Sequence, residues 1–162
     1  MSTKSKSKTT ETPPFKIQVV TIPLVGTSPL SFGKHHETPK LGENESADAY
    51  ERRTFLEKTH YDHQSGEVFL PPMMLKKSLE EAPKFLNLGT IPGKKGATYD
   101  KFFLSANQVT DPIFIGKKIT DARHESFFVN PQGQKNASKR VVRWFATFDE
   151  WEGIAKVTIF KC

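Results

Sequence analysis

Residues 68–79 read Val-Phe-Leu-Pro-Pro-Met-Met-Leu-Lys-Lys-Ser-Leu, a short β-type run that passes through two prolines into a helical pattern. Pro72 stands where the first turn of a helix tolerates a residue without an N–H. The apolar residues that recur at helical spacing are Met73, Met74, Leu75, Leu79, Ala82, Phe85 and Leu86. The pattern predicts a strand at 67–70 and an amphipathic helix that Pro83 bends or ends. The leucines of this helix are expected to face a sheet, and its lysines to face away.

The segments before this helix alternate between β-type and polar sequence. Residues 15–25 carry β-branched and apolar side chains in a largely alternating run, which predicts the first strand. Residues 1–14 hold no large apolar residue beyond the first methionine, and they predict a basic disordered tail. The polar residues 33–47 predict a long loop. Residues 50–61 suit either a short helix or a strand, followed by a turn at 62–66.

The second half of the chain is divided by turn residues. Residues 87–101 are rich in Gly and Lys and predict a connection. The short apolar stretches that predict further strands lie around 102–104, 109–115, 127–129, 141–148 and 154–160. Four or more strands with one principal helix indicate a single α+β domain over 15–162, with a mainly antiparallel sheet.

Length and composition set limits on the class of protein. The chain has 162 residues, 36% of them hydrophobic, with 24 Lys and Arg against 18 Asp and Glu. The lone cysteine, Cys162, excludes an intramolecular disulfide framework and a cysteine-based zinc cluster within one chain. No apolar run approaches the roughly 18 residues that span a bilayer, and the first residues lack the apolar stretch of a secretory signal. We therefore expect an intracellular protein.

Positive charge is concentrated in the tail and in residues 93–143, which hold ten basic and four acidic residues. A basic block indicates a polyanion-binding surface, because clustered cations gain from phosphate neutralisation and counterion release. The alternative is a solvated surface that keeps its lysines for solubility. Two loops, 93–102 and 132–140, combine bases with glycines that let the backbone approach phosphates. Both loops also suit plain hairpin tips.

Aromatic residues accompany both basic loops. Tyr99 could stack a base, and Trp144 suits either stacking or the core. If 141–148 is a strand, Arg143 shares a face with Phe145, and Trp144 lies on the other face.

Signals of catalysis are few. The side chains of His60, Asp62 and His63, with His35 and His36 as further candidates, are suitable ligands for zinc or manganese. Their spacing matches no established motif, and a hairpin turn accepts Asp and His for local hydrogen bonds. No nucleophile elbow, Walker loop or H-E-x-x-H motif is present. We predict a protein without enzymatic activity, cofactor or metal.

The order of segments resembles the RAMP superfamily, the ferredoxin-like, RNA-recognition-motif-like proteins of CRISPR effector complexes. Residues 22–30 (Ile-Pro-Leu-Val-Gly-Thr-Ser-Pro-Leu), which end the first strand, and the strand-proline-helix stretch 68–79 carry this resemblance. The resemblance implies a ferredoxin-like sheet, Gly26 to Ser28 beside an RNA path, Lys76 and Lys77 near a guide backbone, and variable insertions at 33–47 and 93–101. The glycine-rich C-terminal loop of RNA-processing members is missing, which argues against guide processing.

We therefore expect an RNA-binding protein that holds or coats a guide or other single-stranded RNA. A complementary target nucleic acid and other copies of the chain along the RNA are the further expected partners, with no membrane partner. The expected location is the cytoplasm of a prokaryotic or phage-infected cell. The alternatives are a structural or protein-interaction protein of a phage or mobile element, and a metal-dependent nuclease. The candidate nucleic-acid-binding residues are Gly26, Thr27, Ser28, Lys34, His35, Arg52, Arg53, Lys76, Lys77, Lys94, Lys95, Tyr99, Lys101, Lys135, Lys139, Arg140 and Arg143.

Overall fold

The computed structural model of the chain describes residues 16–129 and 140–161, without the side chain of Lys161. Three α-helices and eight strands lie within these residues. The helices are α1 (Ala47–Thr54), α2 (Pro72–Phe85) and α3 (Tyr99–Ala106). The strands are β1 (Lys16–Val25), β2 (Leu30–Ser31), β3 (Glu67–Leu70), β4 (Asn107–Gln108), β5 (Ile113–Lys118), β6 (Arg123–Val129), β7 (Val141–Phe148) and β8 (Glu152–Lys161). The predicted tail, residues 1–14, lies outside the described residues.

The strands form three small sheets, and every strand pair in the described part of the chain is antiparallel. Their orders are β1-β8-β4, β2-β7-β6 and β3-β5. The longest pairing joins β1 to β8, from Lys16 opposite Lys161 to Val25 opposite Glu152. The prediction of an α+β protein with mainly antiparallel sheet is therefore confirmed.

The hydrophobic core draws side chains from all three sheets. Its buried members are Phe32, Val68, Leu70, Val109, Ile113, Ile115, Ala146, Phe148, Ala155 and Val157. Strands β5 and β8 approach so closely that a Cβ on Gly153 would lie 2.6 Å from the carbonyl oxygen of Phe114. A glycine at this position therefore lets the first and third sheets pack together.

Helix α2 forms as its apolar spacing predicts, and Pro83 lies in its last turn. Leu75 and Leu79 pack against the core, as expected. Leu86 is 68% exposed, so the prediction that it faces the sheet is wrong. The reason is that the helix ends at Phe85, which takes the following side chain off the buried face.

Two other segments differ from or refine the predictions. Residues 102–104 lie in α3 and not in a strand, because this segment packs along α2 rather than joining a sheet. The ambiguous residues 50–61 form the end of α1 and a 3₁₀ turn at Phe55–Lys58. The predicted turn at 62–66 is present, with the Asp62 carboxylate accepting backbone hydrogen bonds from Gln64 and Ser65. No helix in the described residues is long and apolar enough to cross a membrane.

Candidate nucleic-acid interface

Helix α1 places two of the predicted basic residues beside β7. Ser46 caps its N-terminus by accepting a hydrogen bond from the backbone N–H of Ala49. Asp48 lies in the first turn and Arg52 and Arg53 in the last, which is the charge order that the helix dipole favours. The helix then packs against β7, the strand that carries Arg143.

The edge of β7 that faces α1 is closed by a buried ion pair and not by another strand. Strand β2 pairs only with the far end of β7, at Thr147 and Phe148. Nearer its start, the carboxylate of Glu51 accepts the backbone N–H of Trp144, and the ammonium of Lys58 donates to the Trp144 carbonyl oxygen. These bonds satisfy backbone groups that an open edge would leave unpaired.

Glu51 is the centre of this network. It is 3% exposed and is paired with both Lys58 and Arg143. Burial raises the pKa of Glu51, but the hydrogen bonds from Lys58 and Arg143 together outweigh burial and hold the pKa below its ordinary value of 4.5. The carboxylate therefore stays ionised at neutral pH and fixes two cations at the edge of the sheet.

A cleft of about 460 Å³, which we call the basic cleft, opens beside this network. Its lining residues are Gly33, Lys34, His35, His36, Tyr50, Glu51, Lys58, Val129, Arg143 and Phe145. Three cations face one carboxylate, which leaves a net charge of +2 with the histidines neutral. Clustered positive charge with low-dielectric walls attracts anions.

Aromatic rings form part of the wall of the basic cleft. The ring of Tyr50 stacks on that of His36 with centroids 5.9 Å apart, and its hydroxyl donates to the carbonyl oxygen of Thr38. The ammonium of Lys58 lies 5.2 Å from the ring centroid of Phe145. Arg143 and Phe145 line the same cleft, which confirms the prediction that they share a face of β7.

A second cleft lies on the other side of residues 34–36 and has the opposite character. It is lined by Lys34 together with the carboxylates of Glu37 and Glu57. Nδ1 of His36 lies 3.5 Å from the Glu57 carboxylate. With two acids against one lysine and its histidines neutral, this neighbouring cleft has a formal charge of −1, opposite in sign to that of the basic cleft.

The structure thus brings Lys34, His35 and Arg143 together although they lie more than one hundred residues apart in sequence. Arg52 and Arg53 lie on the adjoining helix but are engaged elsewhere. The guanidinium of Arg53 bonds Glu45 at 3.0 Å. Lys34 and His35 are exposed, and they are the predicted basic residues most open to a ligand in this cleft.

Trp144 lies on the opposite face of β7 from Arg143. Its ring is contacted by the guanidinium of Arg52, 5.5 Å from the centroid, and by His124, 5.6 Å away between centroids. Its Nε1 donates to the Asp48 carboxylate at 2.9 Å. These partners tie the indole to α1 and β6, so Trp144 serves packing in this structure.

The predicted segment Gly26 to Ser28 lies at the end of β1, away from the basic cleft. The backbone N–H of Gly26 donates to the carbonyl of Trp151 at 2.8 Å, and Nε1 of Trp151 donates to the carbonyl of Ser28 at 3.1 Å. A Cβ on Gly26 would overlap the Trp151 indole. Packing against Trp151 therefore explains the glycine at position 26. Thr27 lies in the same turn.

The remaining predicted bases are spread over other elements. Lys76 and Lys77 of α2 both pair with Glu80, which compensates part of their charge. The exposed Lys94 and Lys95 lie in a tight turn closed by a bridge between Thr90 and Thr98. None of these lysines lines the basic cleft.

Tyr99 and Lys101 belong to α3 and not to the loop that the sequence predicted. Tyr99 opens that helix, and its backbone N–H donates to the carbonyl of Gly89. Arg140 is exposed just before β7. Lys135 and Lys139, from the second predicted basic loop, lie outside the described residues.

Several residues of the basic cleft were not recognised from sequence as binding residues, namely Tyr50, Lys58 and Phe145. For Tyr50 and Lys58, the signal that would have placed them was the helix cap at Ser46, which fixes the phase of α1 and of the turn after it. For Phe145, it was the alternation of β7, which puts this residue on the same face as Arg143. Within residues 16–129 and 140–161, no group of three or more His, Cys, Asp or Glu side chains is arranged to hold a metal ion.

No protein-family model matches this sequence, and no curated protein matches it significantly.

Proposed function

We propose that this protein binds single-stranded RNA without acting on it chemically, and that the basic cleft holds the phosphate backbone. The observation that carries the proposal is the convergence of Lys34, His35 and Arg143 on one cleft with a net positive charge and aromatic walls. Phosphate neutralisation supplies much of the affinity of nucleic-acid-binding proteins, and aromatic rings are the usual partners of unpaired bases.

Arg143 suits a role in phosphate binding because only part of its guanidinium is used. One nitrogen, Nη1, pairs with buried Glu51, while the side chain remains 46% exposed. A guanidinium has five N–H donors in a fixed fork, so the remaining donors can meet phosphate oxygens. Glu51 thereby orients the fork, and exposed Lys34 supplies a second cation across the cleft.

A single strand fits this surface better than a duplex does. A helix that reads a duplex groove needs polar or basic side chains directed at base edges from an exposed face. The arginines of α1 are instead held by Glu45 and by the Trp144 ring. A cleft beside a sheet, with bases splayed against aromatic rings, is the common mode for single strands.

The proposal extends to a small RAMP-like subunit with a ferredoxin-like relationship, located in the cytoplasm and self-associating along a guide or other RNA. The antiparallel α+β architecture supports this kinship at the level of fold class. The strand-proline-helix order from β3 into α2 supports it at the level of segments.

The test is a titration of a fluorescently labelled oligouridylate by anisotropy, repeated over a range of salt concentrations. Lys34→Gln and Arg143→Gln should each weaken binding and make the slope of log K against log salt shallower by roughly 0.7 for each phosphate that the variant no longer neutralises. Lys118→Gln is the matched control, because it removes the same charge from an exposed position on β5 outside the cleft. If both cleft variants keep the parent affinity and slope, the cleft does not bind RNA.

A second candidate function, a protein-interaction subunit, is favoured by the outer face of β1 and β8. Ile17, Val25 and Ile154 are 64%, 72% and 65% exposed. Exposed apolar patches of this kind often mark protein contacts. Light scattering with and without oligouridylate separates the two functions. A protein that binds no RNA and assembles equally well without it would favour the protein-interaction subunit.

A further inference from the structure

Beside the basic cleft, β6 and β7 present an exposed aromatic ring next to the cleft arginine. Phe127 of β6 lies directly opposite Arg143 of β7 in the antiparallel register. Directly opposite residues in an antiparallel pair project from the same face of the sheet. Phe127 therefore stands on the cleft side of the sheet, directly beside Arg143, which lines the cleft.

The ring of Phe127 is open on this face. Phe127 is 48% exposed. The centroid of its ring lies 6.1 Å from that of the Phe145 ring, and the two ring planes make an angle of 51°. Phe145 is partly buried and already carries the Lys58 ammonium against its ring. Phe145 thus lies beside Phe127 on the same face of the sheet, and Phe127 is the more exposed of the two residues.

We propose that Phe127 is a stacking platform for one nucleobase of the bound strand, whose phosphates lie on Arg143 and Lys34. This inference rests on the proposed function, and it adds that the site binds the nucleobase as well as the neighbouring phosphate. Charge complementarity selects the ligand, because an apolar ring beside a cleft of net charge +2 matches a nucleotide, with its flat base and anionic phosphate. A stack of this type accepts any base, so the platform adds affinity without sequence preference.

The two aromatic residues singled out from sequence are less suited to this role. Trp144 is contacted by both Arg52 and His124, and its Nε1 bonds Asp48. Tyr99 is partly buried at the start of α3, outside the basic cleft. Phe127 combines an exposed ring with a cross-strand arginine, which neither of those residues has.

The experiment compares two labelled probes of equal length and charge, an oligouridylate and the corresponding abasic oligoribonucleotide. Phe127→Ala should weaken oligouridylate binding by roughly 5- to 150-fold, the range for loss of one stacked base. Its affinity for the abasic probe and its salt slope should stay at parent values, because no cation is removed. Phe127→Tyr should retain parent affinity for both probes.

Phe128→Ala is the matched control, because the neighbouring phenylalanine is 72% exposed on the opposite face of β6 and should bind both probes as the parent does. Phe127→Leu keeps apolar packing against Phe145 without an aromatic face, and it should lose the same affinity as Phe127→Ala. Circular dichroism checks that each variant is folded.

The failure of this inference is distinguishable from that of the proposed function. If Lys34→Gln lowers affinity and salt slope but Phe127→Ala and Phe127→Leu bind oligouridylate as the parent does, RNA binds the cleft and the stacking role is wrong. Equal losses on both probes would also overturn stacking, since they would mark Phe127 as structural. If the parent binds neither probe, the proposed function fails and the stacking inference fails with it.

Discussion

Replacing Glu51 with glutamine tests whether a buried carboxylate holds the edge of β7 and the cations of the basic cleft. The Glu51 side chain is 4% exposed and that of its partner Lys58 is 10% exposed, so the substitution leaves a buried ammonium without its counter-charge. Breaking a buried ion pair from one side destabilises a protein by about 3 to 5 kcal/mol. Arg143 is 46% exposed, and solvent screening makes its share of the loss small.

The change is measured as the free energy of unfolding in urea and as the melting temperature. For a chain of this length, about 3 to 5 kcal/mol corresponds to a fall of roughly 6 to 20 °C in Tm. Glu81→Gln, an exposed glutamate on α2, is the matched control and should stay within about 0.5 kcal/mol of the parent. Adding Lys58→Met to Glu51→Gln removes the unpaired charge and should recover part of the loss. A Glu51→Gln protein as stable as the control would refute the ion-pair network.

Three further substitutions have outcomes that follow from packing or titration. Gly26→Ala should destabilise by about 1 to 3 kcal/mol in urea unfolding, because its Cβ overlaps an indole, whereas Gly33→Ala, with open space around it, should not. Leu79→Ala should lose about 2 kcal/mol, at the low end for leucine because the site is only partly buried, and exposed Leu86→Ala should change stability little. Burial lowers the pKa of His60 below its ordinary value of 6.5, so the free energy of unfolding should fall as the pH drops below about 6.5. His60→Gln should flatten that part of the stability-against-pH profile. A His60→Gln profile identical to that of the parent would contradict this role of His60.

Elements with a strong local pattern were predictable from the sequence. The alternation of residues 16–25 gave β1, and the proline-led apolar spacing gave α2. Residues 102–104 were wrongly predicted as a strand, because a short apolar run has no period that separates helix from strand. Contact with α2 decides in favour of helix there, and sequence alone does not contain that contact.

The candidate site was predictable in its residue types but not in its arrangement. Lys34, His35 and Arg143 were recognised as basic residues near loops, and the structure adds that they face one cleft. Glu51 and Phe127 could not be assigned a role, because each depends on a partner more than ten residues away in sequence. The register between β6 and β7 and the packing of α1 on β7 are set by tertiary contacts, which local sequence patterns do not specify.

The central claim is that this chain binds single-stranded RNA, and its most direct test is to purify the protein at low salt and identify what comes with it. We expect an ultraviolet absorbance spectrum dominated by nucleic acid. Ribonuclease and not deoxyribonuclease should degrade that nucleic acid, and high salt should release it, as counterion exchange requires. Lys34→Gln combined with Arg143→Gln should carry much less. Protein that is free of nucleic acid at low salt, and that leaves the anisotropy of labelled oligouridylate unchanged, would contradict the claim.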